Sequence, residues 1–430
     1  MSVVVVTPLL LTALYAPTQS APVPTPTVTA PAQEAPKAAD DTLRVFWKDG
    51  LRFESADKRY KVKIGGRIHY DTAFFDADDD TKAAVESTVG TTKTRIEDGA
   101  EFRRARLEFS GEVGDRVDWA ASVDFGTGVT SFRNMYVGLK DLPYGNLRAG
   151  QFKEPYGLEQ LTSSNNIQFM ERSLMNAFVP AFNAGFMVFD TAAEERMTWA
   201  VGLFRTGSDN AEVSKGDGEY AGTARVTGLP MYDEAGHSYI HLGLDASHRS
   251  PTDDTATFSS KPEANLAPAY VSATVAAETV DLVGAEVGWV HGPFTFSGEF
   301  TMAMVDGDAG SASDPDFKGY YAQASYFLTG ESRPYQRAYG AFGPIKPAEN
   351  ALGKDGGHGA WEVATRYSAI DLRDDNTDEG QLDDITVGLN WYLNPNTRVM
   401  LNYILASLDP TAPGADGETN ILEFRVQFNY

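Results

Sequence analysis

From about residue 60 to the C-terminus, apolar and polar side chains alternate in segments of roughly ten residues. The last segment is the clearest: Leu422, Phe424, Val426, Phe428 and Tyr430 fall on one parity, and Glu423, Arg425, Gln427 and Asn429 on the other. Successive side chains of a strand point to opposite faces, so this pattern predicts a strand with one apolar and one charged face. Val62, Ile64, Ile68 and Tyr70 stand in the same way against Lys61, Lys63, Arg67 and His69. So do Trp361, Val363 and Tyr367 against Glu362, Arg366 and Ser368, and the run Ile385, Val387, Leu389 and Trp391 is a further apolar face. Sixteen strands are expected, near 60–75, 101–112, 115–126, 131–140, 146–154, 184–192, 196–206, 219–229, 238–248, 280–291, 293–304, 319–328, 358–370, 383–393, 397–408 and 419–430. A helical period is confined to Gly157–Phe178.

Short connections such as Val113–Gly114, Gly292–Pro293 and Asn394–Asn396 alternate with long acidic ones such as Asp76–Gly99. Outer-membrane barrels are built with short turns on one side and long loops on the other. A soluble β-sandwich would share the alternating faces. Two features favour the barrel. Tyr320, Tyr321, Tyr326, Trp391 and Tyr392 gather near strand ends, where an interfacial aromatic girdle would lie. The chain also ends inside a strand, and pairing that strand with the first would leave no open edge in lipid. The expected fold class is all-β, a transmembrane antiparallel barrel of about 16 strands.

Ahead of the barrel, Val3–Ala16 is apolar and Ala16–Ala21 supplies small residues for cleavage, so residues 1–21 read as an export signal lacking the usual basic start. Residues 22–41 are rich in Pro, Ala and Thr and read as an extended periplasmic tether. Residues 42–430 are left as the barrel domain.

Composition narrows the function. The 430 residues carry a net charge of −24, which argues against nonspecific nucleic-acid binding. The absence of cysteine excludes disulfides and thiolate sites. No apolar run reaches the length of a membrane helix. No catalytic or phosphate-binding signature is present, so neither enzyme activity nor a cofactor is expected. His237 and His241, four apart on a strand, would lie roughly 13 Å apart, too far for one metal ion. DNTDEGQLDD (375–384) and DGDAGSASDPD (306–316) lack the Gly and Glu offsets of a calcium loop. These stretches, with Asp76–Asp80, Asp253–Asp254 and Asp416–Glu418, place most of the acid in long connections. There it is solvated, or binds the divalent cations that bridge lipopolysaccharide.

YKVKIGGRIHYDTAFFD (60–76), EFRRARLEFSGEVGDRVDWAASVDF (101–125) and NLRAGQFKEPYGLEQLTSSNNIQFMERSL (146–174) resemble the phosphate-selective porin O and P family. YYAQASYFLTGESRPYQ (320–336), IKP (345–347), WEVATRYSAI (361–370) and VGLNWYLNPNTRVMLNYI (387–404) continue the resemblance in order. It implies a homotrimer of 16-stranded barrels in the outer membrane of a Gram-negative-type bacterium, passing small hydrophilic solutes or inorganic anions. The partners then include outer-membrane lipid, lipopolysaccharide and the barrel-assembly machinery. It also implies a loop folded into each pore.

Residues 155–182 suit that loop: they lack alternation and carry Leu158, Leu161, Ile167, Phe169 and Met170 as apolar anchors. Glu159, Gln160, Asn165, Asn166, Glu171 and Arg172 would then meet the solute. On the barrel wall, parity places Lys61, Lys63, Arg67, Arg104 and Arg106 on polar faces, with Arg133, Arg148, Lys153, Arg366 and Arg425 as further lumen candidates. Guanidinium groups facing a lumen attract anions. Equally, these bases could pair with Glu108, Glu362 and Glu423 and keep a general pore hydrated. Arg103 shares parity with Leu107 and Phe109, which places it at the barrel rim. Phosphate-selective members carry lysines where this chain has Ala120 and Gln160, and an acidic residue where it has Arg133. The paired Arg103 and Arg104, and Arg67, match. The expectation is a diffusion porin with a basic inner patch, either general or anion-preferring, without the family's full phosphate site. The alternatives are a secreted soluble β-rich carbohydrate-binding or hydrolytic protein and a plugged structural outer-membrane protein.

Overall fold

The computed structural model describes residues 42–89, 92–206, 220–307, 314–354, 356–374, 376–410 and 416–430. The export signal and the tether lie outside these residues, as do 308–313 and 375 of the two acidic stretches.

Sixteen strands form the barrel: β1 (Tyr60–Ala77), β2 (Gly99–Val113), β3 (Val117–Asp124), β4 (Ser131–Leu142), β5 (Gly145–Lys153), β6 (Phe182–Ala192), β7 (Met197–Arg205) and β8 (Tyr220–Tyr232). The second half is β9 (Ser238–Arg249), β10 (Thr279–His291), β11 (Phe294–Asp306), β12 (Asp316–Phe327), β13 (Ala360–Asp374), β14 (Thr377–Asn394), β15 (Thr397–Asp409) and β16 (Gly417–Asn429). Each pairs antiparallel with the next, and β16 pairs with β1 from Thr419↔Ala77 to Asn429↔Arg67. The sheet therefore has no open edge, which lipid would not tolerate. Tyr430 extends the seam, its N–H and C=O bonding the C=O and N–H of Gly66 at 3.0 and 2.9 Å. All sixteen anticipated strands are present, and the largest shift of an end is the start of β14, Thr377 instead of Asp383.

The alternation sorts as lipid outside and lumen inside. Leu422, Phe424, Val426 and Phe428 are exposed on the outer wall, whereas Glu423, Arg425 and Gln427 are buried inside. Tyr320 and Tyr326 lie on the outer face, but Tyr321 and Tyr392 do not join a girdle. Both point inward, donating hydroxyl hydrogen bonds to Glu299 (2.6 Å) and Glu362 (2.8 Å). Neighbouring residues on a strand cannot share a face, so in each aromatic pair one member had to turn in.

Arg103 is a second correction. In the β1–β2 register His69 pairs with Arg104 but Tyr70 pairs with Phe102, so Arg103 is an extra, bulged residue. The bulge breaks the parity count and turns Arg103 into the lumen beside Arg104.

Outside the barrel ladder, a hairpin of Leu43–Trp47 and Leu51–Ser55 pairs onto the start of β1. Another, Thr255–Ser260 with Val271–Ala276, lies in the β9–β10 connection. His237 lies in the turn before β9, whereas His241 is buried between Glu286 (2.8 Å) and Tyr335 (2.6 Å). Residues 377–384 of the first acidic stretch lie within β14.

Candidate functional site

The β5–β6 connection does not leave the barrel. It forms helix α1 (Leu158–Leu161) and a 3-10 turn at Leu174–Ala177, and nearly all of it is buried in the lumen. Leu158, Ile167, Phe169 and Met170 are at most 3% exposed. Farther along, Leu174, Met175 and Phe178 join an apolar cluster with Phe258, Phe317, Ile370, Leu382 and Ile421.

Polar bonds fix what the apolar anchors place. The carbonyls of Asn165, Asn166, Ile167, Gln168, Met170 and Glu171 accept from Gln427, Arg333, Arg398, Asn390, Arg425 and Arg366 respectively. A loop away from bulk water must satisfy its backbone, and here side chains of the wall, with Arg333 of the β12–β13 connection, replace the missing ladder. At the other end, the Glu299 carboxylate accepts from the N–H groups of Leu158 (2.8 Å) and Glu159 (2.7 Å) at the start of α1.

Two further segments fold inward. The β12–β13 connection, residues 328–359, starts on the short-turn side yet turns back into the barrel through Tyr335–Gln336 and Ala341–Phe342. Phe342 N–H donates to Thr162 Oγ1 at 3.2 Å, and Arg225 donates to the carbonyls of Tyr339 and Gly340. From the other side, Glu263 accepts from Thr386 (2.6 Å), Ser368 and Arg366. These segments fill the lumen along the later strands. Open space remains along β1 to β5.

That space is three cavities with shared walls. An outer one of about 300 Å³ is bounded by Arg103, Glu171, Arg172 and residues 259–265. A central one of about 490 Å³ shares Arg103, Arg172 and Asn176 with it. An inner one of about 360 Å³ shares Lys63, Arg67, Glu108 and Ser163 with the central cavity and reaches Asn396 and Tyr430 on the short-turn side. Adjacent members of the three share walls along the polar interior of the barrel.

The central cavity is strongly basic. Lys63, Arg67, Arg103, Arg104, Arg106, Arg133, Lys153 and Arg172 line it, against only Glu108 and Asp124. Arg67 pairs with Glu108 at 2.6 Å, Arg106 with Asp124 at 2.8 Å, and Arg103 with Glu171 at 3.0 Å. Arg104 lies 3.5 Å from the same Glu171, and Arg133 lies 3.7 Å from Asp124. The Lys153 ammonium donates to the Gln160 carbonyl, and Arg172 donates to the carbonyls of Glu159, Gln160 and Thr162. Those last two cations spend their donors on neutral carbonyls and form no ion pair with a carboxylate among the described residues.

Other sequence candidates fall elsewhere. Lys61 sits at the short-turn end, 3.0 Å from Glu112. Arg366 and Arg425, expected to line the pore, are buried behind the loop. Arg366 binds Glu159 (3.1 Å) and Arg425 binds Asp71 (2.6 Å) and Glu171 (2.7 Å). Glu159 likewise turns from the path to accept from Ser173. Gln160 and Ala120 line the central cavity, Asn165 and Asn166 the inner one, and Glu171 and Arg172 the outer one.

Most of the acid was expected in the long connections, yet the lumen holds a large share of its own. Asp71, Glu154, Asp245, Glu286, Glu299, Glu362, Asp384 and Glu423 are buried inside. Glu362 pairs with Arg333, whereas Glu423 has no ion-pair partner among the described residues. Arg225 went unrecognised in the sequence although it shares parity with Thr223 and Thr227, whereas Arg398 has Met400 and Ile404 on its parity and so gave little signal. Arg333 had no such signal, because it sits in an irregular segment.

Comparison with known proteins agrees with this geometry. The family model described as phosphate-selective porin O and P matches residues 62–430. Porin O of Pseudomonas aeruginosa is 28% identical over 423 residues, covering 89% of this chain and 91% of that protein. An uncharacterised protein of Caulobacter vibrioides is 27% identical over 425 residues, covering 95% and 82%. Among solved structures, the outer-membrane channel DcaP of Acinetobacter baumannii superposes with a TM-score of 0.53 at 12% identity, covering 88% of this chain and 99% of that one. An anion-selective porin from Comamonas acidovorans gives 0.52 at 12% identity, covering 86% and 100%. At such identities the two structures speak to the barrel fold alone. The match across the barrel, together with the closed sheet and its polar cavities, settles the class: the chain belongs to the phosphate-selective porin O and P family, and it is an outer-membrane porin channel, not an enzyme.

Proposed function

We propose that this porin passes small anions in preference to cations, and that it does so by diffusion without a saturable phosphate site. The observation that carries the reading is the central cavity, where eight basic side chains face two carboxylates. A narrow passage walled by low-dielectric protein focuses such a charge excess, so anions are concentrated and cations repelled. Ala120 and Gln160 line that cavity at the places where phosphate-selective relatives carry lysine, so a phosphate ion here meets two fewer close cations. The phosphate selectivity in the name of the family agrees with the anion preference.

The reversal potential under a KCl gradient across a planar bilayer tests the preference. A sign reporting chloride over potassium is expected, and a potassium-selective sign refutes it. Block of the chloride current by submillimolar phosphate would overturn the absence of a saturable site. Residues 1–21 act in this reading as a cleaved export signal and 22–41 as a tether. The barrel assembles as a homotrimer among lipopolysaccharide after insertion by the assembly machinery, and crosslinking of the protein in outer membranes reports that state.

A further inference from the structure

Beside the central cavity, and sharing Asn134, Lys153, Leu161 and Ser163 with it, lies a lateral recess of about 350 Å³ toward β6 and β7. Its lining departs from the polar interior expected of a porin. Phe152, Met187, Phe189, Pro155 and Leu161 form apolar walls, and Arg148 stands among them. The Arg148 guanidinium lies 4.0 Å above the Tyr136 ring, 4.9 Å from Phe189 and 5.5 Å from Phe152. It makes no hydrogen bond or ion pair to another described residue, and its buried Nε has no acceptor. The one carboxylate on the recess, Asp190, is engaged through Oδ1 by Asn146 and by the Thr191 N–H.

A partly buried guanidinium with aromatic rings on its face and no ion-paired carboxylate among the described residues has edge donors suited to an anion. The apolar walls around it offer nothing to a hydrated inorganic ion but would accept a ring. The volume is at the small end for a ligand pocket. We propose that this recess is a subsite for small aromatic monocarboxylates, with the carboxylate on Arg148 and the ring against Phe152, Met187 and Phe189. Inorganic anions pass through the adjoining basic cavity, so the subsite extends the anion preference proposed above to amphipathic solutes and rests on that reading.

The test compares benzoate with acetate, which carries the same charge without a ring. In a planar bilayer, benzoate should reduce the chloride current at concentrations at least tenfold below those at which acetate does so. Calorimetric titration of the detergent-purified barrel should show heat of binding for benzoate and none for acetate. Arg148→Gln and, separately, Phe189→Ser should each raise the half-blocking benzoate concentration at least fivefold, with heat-modifiable gel migration confirming a folded barrel. Equal block by the two acids, or variants that discriminate as the wild type does, overturns the subsite. If neither variant folds, the wild-type comparison decides alone. A cation-selective reversal potential would instead refute the anion preference, while the titration in detergent still reads the subsite independently.

Discussion

Replacing Arg425 with methionine isolates the bonding that holds the inward loop. Arg425 is fully buried. Its Nε and one Nη donate to the two Asp71 oxygens at 2.7 and 2.6 Å, the same Nη reaches Glu171 at 2.7 Å, and the other Nη takes the Met170 carbonyl. Methionine keeps much of the bulk but strips all of these donors. Glu171 retains Arg103 at 3.0 Å, whereas Asp71 keeps no ion-pair partner among the described residues. Removing one partner of a buried ion pair costs about 3–5 kcal/mol, because the other charge stays in a poorly solvated place. The docked loop alone carries that cost, since undocking lets water reach Asp71 and Glu171. At 1.4 kcal/mol per tenfold, the docked-to-released ratio should fall by a factor of roughly 10² to 4 × 10³. Five other donors to the loop carbonyls remain, four on the wall and Arg333 on the β12–β13 connection, so the loop stays docked on average but leaves often enough to be seen. Single-channel recording should show frequent excursions from the wild-type level, and Asp71→Asn in the same chain should suppress them by removing the stranded charge. A folded Arg425→Met channel as quiet as wild type, at the same conductance, would refute the loop-clamp reasoning.

Three other outcomes follow from the same geometry. Ala120→Lys combined with Gln160→Lys adds two cations to a cavity that already has eight, and should bring block of the chloride current by phosphate into the submillimolar range; an unchanged phosphate titration would count against the site assignment. Deleting Tyr430 removes two backbone hydrogen bonds at the β16–β1 seam and a ring 5.8 Å from Phe428, and should lower outer-membrane levels of the protein, as immunoblotting of membrane fractions would report. Gly150→Val should lower the temperature at which the barrel loses its heat-modifiable gel form: φ there is +131°, and an added Cβ would lie 2.2 Å from the Met135 carbonyl oxygen, so strain of about 1–3 kcal/mol is expected.

The sequence by itself determined the sixteen strands, the lipid and lumen faces and the closing role of the last strand. The reason is geometric: strand side chains alternate strictly, so a chain with lipid on one face and water on the other must write that alternation into every segment. The apolar anchors of the inward loop were legible for the same reason, as the one stretch where alternation stops yet Leu158, Phe169 and Met170 persist. Parity tells only which wall a side chain leaves, not what it meets across the lumen. Arg106 and Arg425 are alike in sequence, each an arginine on the polar face of a strand. Arg106 faces the central cavity and pairs with Asp124 of the neighbouring strand, whereas Arg425 is covered by the loop and spends its donors on Asp71, Glu171 and the Met170 carbonyl. Arg103 shows the other limit, since one bulged residue reverses the parity of everything counted across it. Where the loops fold, and therefore which charges of a chain carrying −24 confront a solute, is decided by contacts far apart in sequence that only the closed barrel brings together.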